Sequence, residues 1–199
     1  LLLLKQYFYI IQIGKTESSA VKLTISAQAE EDVKIDYTLQ TYGDTEDVTV
    51  TGCTFRGYWQ EYEGGGQECI QLDACLDYIF PGYQPFDGAV CENVRITDNI
   101  FENVFAGVGS HSMIYDRPYR NIVIQGNTFR NVKKRAVWCL NYVDSAVEDN
   151  IIENAGGGVL VSCMYFPNTH LMPGTAAGMA GNHQNAGISV KNNQISISS

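Results

Sequence analysis

One short pattern is written five times in this chain, and it restricts the fold more than any other feature. The copies read DVTVTGCTF (47–55), ENVRITDNIFENV (92–104), RNIVIQGNTFRNV (120–132), DSAVEDNIIENA (144–155) and NAGISVKNNQI (185–195). In each, apolar residues alternate up to a turn pair: Gly52-Cys53, Asp98-Asn99, Gly126-Asn127, Asp149-Asn150 or Asn192-Asn193. Two residues further on stands a large apolar residue: Phe55, Phe101, Phe129, Ile152 or Ile195. The first member of every pair is Gly, Asp or Asn, the residues that tolerate a left-handed backbone. Each copy therefore predicts a short half-buried strand, a sharp bend and a second short strand.

The turn asparagines lie 28 residues apart (99 to 127) and then 23 apart (127 to 150). A strand–bend–strand unit at this period cannot bury its apolar face alone and must stack on its neighbours. The expected fold is all-β: a right-handed parallel β-helix in a single domain, one coil per repeat. Asparagines stacked at the bend would hydrogen-bond from coil to coil and satisfy backbone groups that the corner leaves unpaired. The longer intervals, 53 to 99 and 150 to 193, exceed the period by one more coil or a long loop.

Residues 47–199 are thus expected to be helix coils, preceded by degraded early coils or a cap over 1–46. Such a cap would cover a free edge otherwise ready to pair with other chains. Three insertions interrupt the coils: Gly57–Gln67, Leu76–Val90 and Met164–Asn185. The first two are aromatic, with Trp59 and Tyr83 among their rings, and long loops on a rigid scaffold commonly carry binding function.

Each clear copy is followed by a second strand: CIQLDA (69–74), GVGSHS (107–112), AVWCLN (136–141) and GVLVSC (158–163). Laid in register, Ile70/Leu72, Val108/Ser110, Val137/Cys139 and Val159/Val161 point inward. Gln71/Asp73, Gly109/His111, Trp138/Leu140 and Leu160/Ser162 point outward. Adjacent coils lie about 4.8 Å apart, so residues in one outward column are neighbours.

The net charge of −9 argues against nucleic acid or an anionic membrane as partner, and an acidic surface leaves calcium open as a ligand. The six cysteines form no CxxC pair, so no metal site is expected from them. Most fall at inward or corner positions, and Cys75 and Cys91 bracket a loop that a disulfide would close if the protein is exported. The opening LLLLKQYFYIIQIG is too short to span a membrane and lacks a small-residue cleavage site, so it looks like an internal or truncated end.

The order ECIQLDAC (68–75), an aromatic loop, AGVGSHS (106–112) and a strand ending in LNY (140–142) resembles the pectin-lyase-like right-handed β-helix proteins of bacteria and their phages. The resemblance covers about 47–163. It implies a carbohydrate-active enzyme or cell-surface module, extracellular, with a polysaccharide as partner. Asp116-Arg117-Pro118 echoes the arginine–proline motif of calcium-dependent pectate lyases, but falls in a coil connection. The aspartate pairs and Gly-His-Gly of polygalacturonases are absent.

The residues themselves supply a candidate constellation. Asp73 beside His111 on one outward face would orient and charge an imidazole for proton transfer. Glu68 and Arg135, just before the same strands, add an acid and a cation. A lyase needs a base and a cation that neutralises a uronate, and a hydrolase needs two spaced carboxylates. Gln71, Trp138, Tyr142, Trp59, Tyr83 and Tyr115 complete the expected substrate-binding set. The same face would serve a non-catalytic adhesin or tail-spike module equally well.

Overall fold

The computed structural model describes residues 47–56, 68–74, 90–110, 114, 117–162 and 186–198, together with the backbone path of 9–13 and 37–42. All the regular structure among these residues is β. Successive passes of the chain lay strands on three parallel sheets.

The first sheet is formed by the upstream halves of the repeats. It comprises β3 (Thr49–Thr51), β6 (Arg95–Thr97), β10 (Val123–Gln125), β14 (Ala146–Glu148) and β17 (Ser189–Lys191), paired in that order. The second takes the halves after the bend: β4 (Thr54–Arg56), β7 (Ile100–Val104), β11 (Thr128–Val132), β15 (Ile151–Ala155) and β18 (Gln194–Ile197). The third has six strands: β1 (Tyr9–Ile13), β2 (Tyr37–Tyr42), β5 (Glu68–Asp73), β8 (Ala106–Gly109), β12 (Val137–Leu140) and β16 (Val159–Ser162). A small pair, β9 (Tyr119–Arg120) with β13 (Tyr142–Val143), joins two connections. Such stacking of parallel rungs is compatible with a β-helix.

The expected register is the observed one where the strands pair. Ile70 stands opposite Val108, Val108 opposite Val137, and Val137 opposite Val159. The long intervals also resolve: β3 and β4 pair directly with β6 and β7, and β14 and β15 with β17 and β18. Direct pairing of these strands leaves no extra coil between them in either interval.

Bending is set by local chemistry. Gly52, Asp98, Gly126, Asp149 and Asn192 all have φ between 53° and 67°. Two further left-handed columns turn the rung elsewhere: Asn93, Asn121 and Asp144 before the first sheet, and Asn103, Asn131 and Asn154 within the second. Side-chain amides in both columns bond to the next rung, Asn121 to Asn93 at 2.8 Å and Asn154 to Asn131 at 2.7 Å.

The buried ladder beside the bend is the strongest of these devices. Asn127 Oδ1 accepts from the backbone N–H and the side-chain amide of Asn99, both at 3.0 Å. Asn127 in turn donates its backbone N–H and Nδ2 to Asn150 Oδ1, and Nδ2 also to the Ile96 carbonyl. The ladder extends to Cys53, whose N–H reaches Asn99, and to Asn193, which accepts from Asn150. Asn99, Asn127 and Asn150 are at most 1% exposed, and each is satisfied by the rungs on either side.

Inside, Phe55, Phe101 and Phe129 stack face on face, with centroids 4.9 and 4.5 Å apart. Register forces this, because Phe55, Phe101, Phe129 and Ile152 are direct partners in successive strands. Ile195, at the same place in the last repeat copy, is 48% exposed. It lies on the last strand of its sheet, with no further described rung to cover it.

Candidate functional site

The outward face of the six-stranded sheet carries the candidate residues. All six residues of β5 are buried, those pointing outward included. Asp73 has no exposed surface, which corrects its expected place in an open groove. Its carboxylate accepts from the Gln71 amide two residues away on the same face, and its carbonyl accepts from Cys91 Sγ at 3.7 Å. A carboxylate removed from water persists only with such partners. Gln71, itself 8% exposed, is committed to Asp73 instead of being open to a ligand.

A second cluster lies on this face, spread over four consecutive strands. Glu68 opens β5, and its side chain runs over the next strand at Gly109. A Cβ at Gly109 would lie 2.9 Å from Glu68 Cγ, so the glycine makes the passage. Beyond it, Arg135 Nη2 donates to Glu68 Oε1 at 3.4 Å. The guanidinium carbon sits 4.0 Å from the centre of the Trp138 ring, and Trp138 Nε1 donates to Ser162 Oγ at 2.7 Å. Carboxylate, guanidinium and indole thus form one row, the guanidinium reaching the carboxylate across Gly109 and the indole held by Ser162 on the next strand.

The electrostatics of the row are those of a partly covered ion pair. Glu68 is 2% exposed and the Arg135 side chain 16%. Burial lowers the affinity of Arg135 for its proton, and the neighbouring Glu68 carboxylate opposes that effect. Their contact is longer than a tight charge-assisted hydrogen bond, which runs to about 2.7–2.9 Å. Arg135 Nε is buried and has no hydrogen-bond partner among the described residues. The guanidinium therefore keeps an uncommitted donor beside an aromatic ring. One face of the Trp138 ring is taken by the Arg135 guanidinium.

Tyr142 is not available to a substrate, a second correction. It is fully buried, shares a hydrogen bond of 3.1 Å with Ser110 and meets Tyr119 edge-on. Burial pushes its phenol well above the usual range. Leu140, also expected outward, is 2% exposed. The thiols of Cys69 and Cys139 are buried as well, and desolvation pushes Cys139 up to about 12. Burial of this kind disfavours the thiolate, which is the nucleophilic form.

His111, Tyr115, Trp59, Tyr83 and Cys75 lie outside the described residues, so neither the Asp73–His111 pair nor the Cys75–Cys91 pairing is described. Among the described residues no three His, Cys, Asp or Glu side chains gather as a metal site. The structure thus brings together Glu68, Arg135 and Trp138, and separates Asp73 and Tyr142 from solvent. Two participants were missed in the sequence, Gly109 and Ser162. The signal for Gly109 was there: a residue without a side chain in an outward column flanked by Glu68 and Arg135. Ser162 had no comparable signal, because its role depends on the Trp138 rotamer. No protein-family model, no curated protein and no solved structure matches the chain.

Proposed function

We propose that the chain winds as a right-handed parallel β-helix of the pectin-lyase-like kind and acts on an extracellular polysaccharide, as a lyase or glycoside hydrolase. The observation that carries this reading is the row Glu68–Arg135–Trp138 on the outward face of the six-stranded sheet. Three side-chain types suited to an acidic or hydroxyl-rich sugar stand together, Glu68 on β5 and Arg135 and Trp138 two strands along, with Gly109 of β8 between them. A carboxylate supplies acid–base capacity, a guanidinium suits an acidic or hydroxyl oxygen, and an indole is the ring type that commonly stacks on a ligand.

A non-catalytic glycan-binding module is the second reading, and one observation favours it. Glu68 and Asp73 are both buried and hydrogen-bonded, whereas glycoside hydrolysis needs two carboxyls flanking an open cleft. The test is a panel of uronic-acid and neutral polysaccharides, with ultraviolet absorbance of unsaturated product, reducing ends and direct binding measured together. Unsaturated product identifies a lyase, reducing ends alone a hydrolase, and binding without either the module. Arg135→Met should weaken whichever signal appears, about tenfold or more for loss of a charged hydrogen bond. No turnover and no binding across the panel would refute both.

A further inference from the structure

The outward face of the second sheet carries two columns of side chains, and both alternate in character from rung to rung. One column reads Thr54, Ile100, Thr128 and Ile151, the other Arg56, Glu102, Arg130 and Glu153, each residue being the strand partner of the next. The residues between them in sequence, Phe55, Phe101, Phe129 and Ile152, form the buried column on the other side of the sheet. Ile100 and Ile151 are 36 and 37% exposed, although each lies on a strand with a rung on either side. Their exposure is therefore lateral and owes nothing to where the stack of rungs stops.

Within the chain, Arg56 Nε meets Glu102 at 3.0 Å and Arg130 Nε meets Glu153 at 2.9 Å. All four side chains remain in contact with water, from 28% exposed for Glu102 to 55% for Arg56. Exposed pairs of this kind add little to the stability of a single chain. A guanidinium carries five N–H donors, so one carboxylate of its own chain does not exhaust it.

We propose that this face is an interface and that its occupant is a second copy of this chain, lying antiparallel beside the first. The two-fold axis runs along the strand direction, midway between β7 and β11. That operation reverses the order of the rungs and sets each column against itself. Arg56 then faces Glu153 of the second copy and Glu102 faces its Arg130, so every charge meets its opposite. In the other column Ile100 faces Thr128 and Ile151 faces Thr54, a large side chain against a small one. Sliding the copies by one rung would put Glu102 against itself and Arg56 against Arg130. Turning the axis along the stack would set the charges against the isoleucines. Neither alternative satisfies the columns. The four charges sum to zero, whereas the whole chain carries −9, so this face joins copies without adding like charge. The contact is isologous and closes at two copies. Four rungs at about 4.8 Å and strands of about 16 Å give about 300 Å², against about 800 Å² per partner in a standard interface. The dimer is therefore weak and reversible.

Sedimentation velocity of the 199-residue chain, over a series reaching about 1 mM, tests this. The expected result is a monomer–dimer equilibrium with a Kd of about 0.1–1 mM at low salt, weakened about tenfold or more at about 0.5 M salt. Arg130→Glu and Glu102→Arg each bring like charges face to face and should each weaken the dimer about tenfold or more. The double variant restores opposite charges across the two-fold while setting like charges together at both intrachain pairs. It should dimerise within about threefold of the unmodified protein. A ladder that serves only its own chain predicts no such recovery. Arg120→Glu, which breaks the Arg120–Asp144 pair outside this face, should leave the equilibrium unchanged. A monomer up to about 1 mM, growth beyond a dimer, a dimer indifferent to salt, or a double variant no better than its single parents would each overturn the proposal. The salt series uses the unmodified protein and decides even where a substitution prevents folding.

Discussion

Asn127→Ala removes the centre of the buried ladder, and its cost follows from the partners it strands. Asn127 Oδ1 is the acceptor for the Asn99 backbone N–H, and its Nδ2 serves the Ile96 carbonyl. Neither group has water beside it, since Asn99 and Ile96 are at most 1% exposed. A buried backbone group left without its partner costs about 1–3 kcal/mol, so two of them put the expected loss at about 2–6 kcal/mol. Backbone strain adds nothing, because Asn127 is not among the left-handed residues and alanine fits its conformation. The matched control is Asn131→Gly, which breaks the outer ladder to Asn103 and Asn154 where water can replace the lost bonds. Glycine keeps the left-handed φ of 52° without penalty, so that variant should change stability by no more than about 0.5 kcal/mol. Equilibrium denaturation, with unchanged denaturant dependence required of both variants, gives the two values. A loss below about 1 kcal/mol for Asn127→Ala, or equal losses for the two variants, would show that the ladder is not what holds adjacent rungs together.

Three further outcomes are expected. Phe129→Ala opens a cavity between Phe101 and Ile152 and should cost about 3–5 kcal/mol by the same assay; a loss near 1 kcal/mol would mean the column does not pack as a unit. Gly126→Ala should destabilise more than Gly52→Ala: both force a side chain into positive φ, at about 1–2 kcal/mol, but only at Gly126 would the new Cβ lie 2.6 Å from Asp98 Oδ1. Equal losses would dismiss that close approach. Hydrogen bonds from Gln125 and Asn192 hold the Asp149 carboxyl below its ordinary range. A depressed native pKa gives stability that is present above the unfolded value and lost as pH falls through the native one. Stability should therefore decline on acidification in that window, and less steeply in Asp149→Asn, as measured by thermal midpoints across acidic buffers; identical slopes would exclude Asp149 as a source.

Part of this protein is legible in its sequence because the signals involved are local. A left-handed bend requires Gly, Asn or Asp at that residue, and a half-buried strand requires alternation along a few residues. The corner column, the Asn99–Asn127–Asn150 ladder, the phenylalanine stack and the register of Ile70 with Val108, Val137 and Val159 all follow from that. Exposure is different, because it depends on what a distant part of the chain lays over a face. Alternation places Asp73 outward, yet it is fully covered. Tyr142, two residues past the end of β12, turns into the core to meet Ser110 and Tyr119. Spacing sets Glu68 and Arg135 near the same strands, but their contact across 67 residues needs Gly109 to leave room and Trp138 to hold the guanidinium. Which apolar positions are covered is likewise decided by stacking: Ile152 and Ile195 occupy the same place in the repeat, and Ile152 is buried because β18 lies over it, whereas no further described rung lies over Ile195.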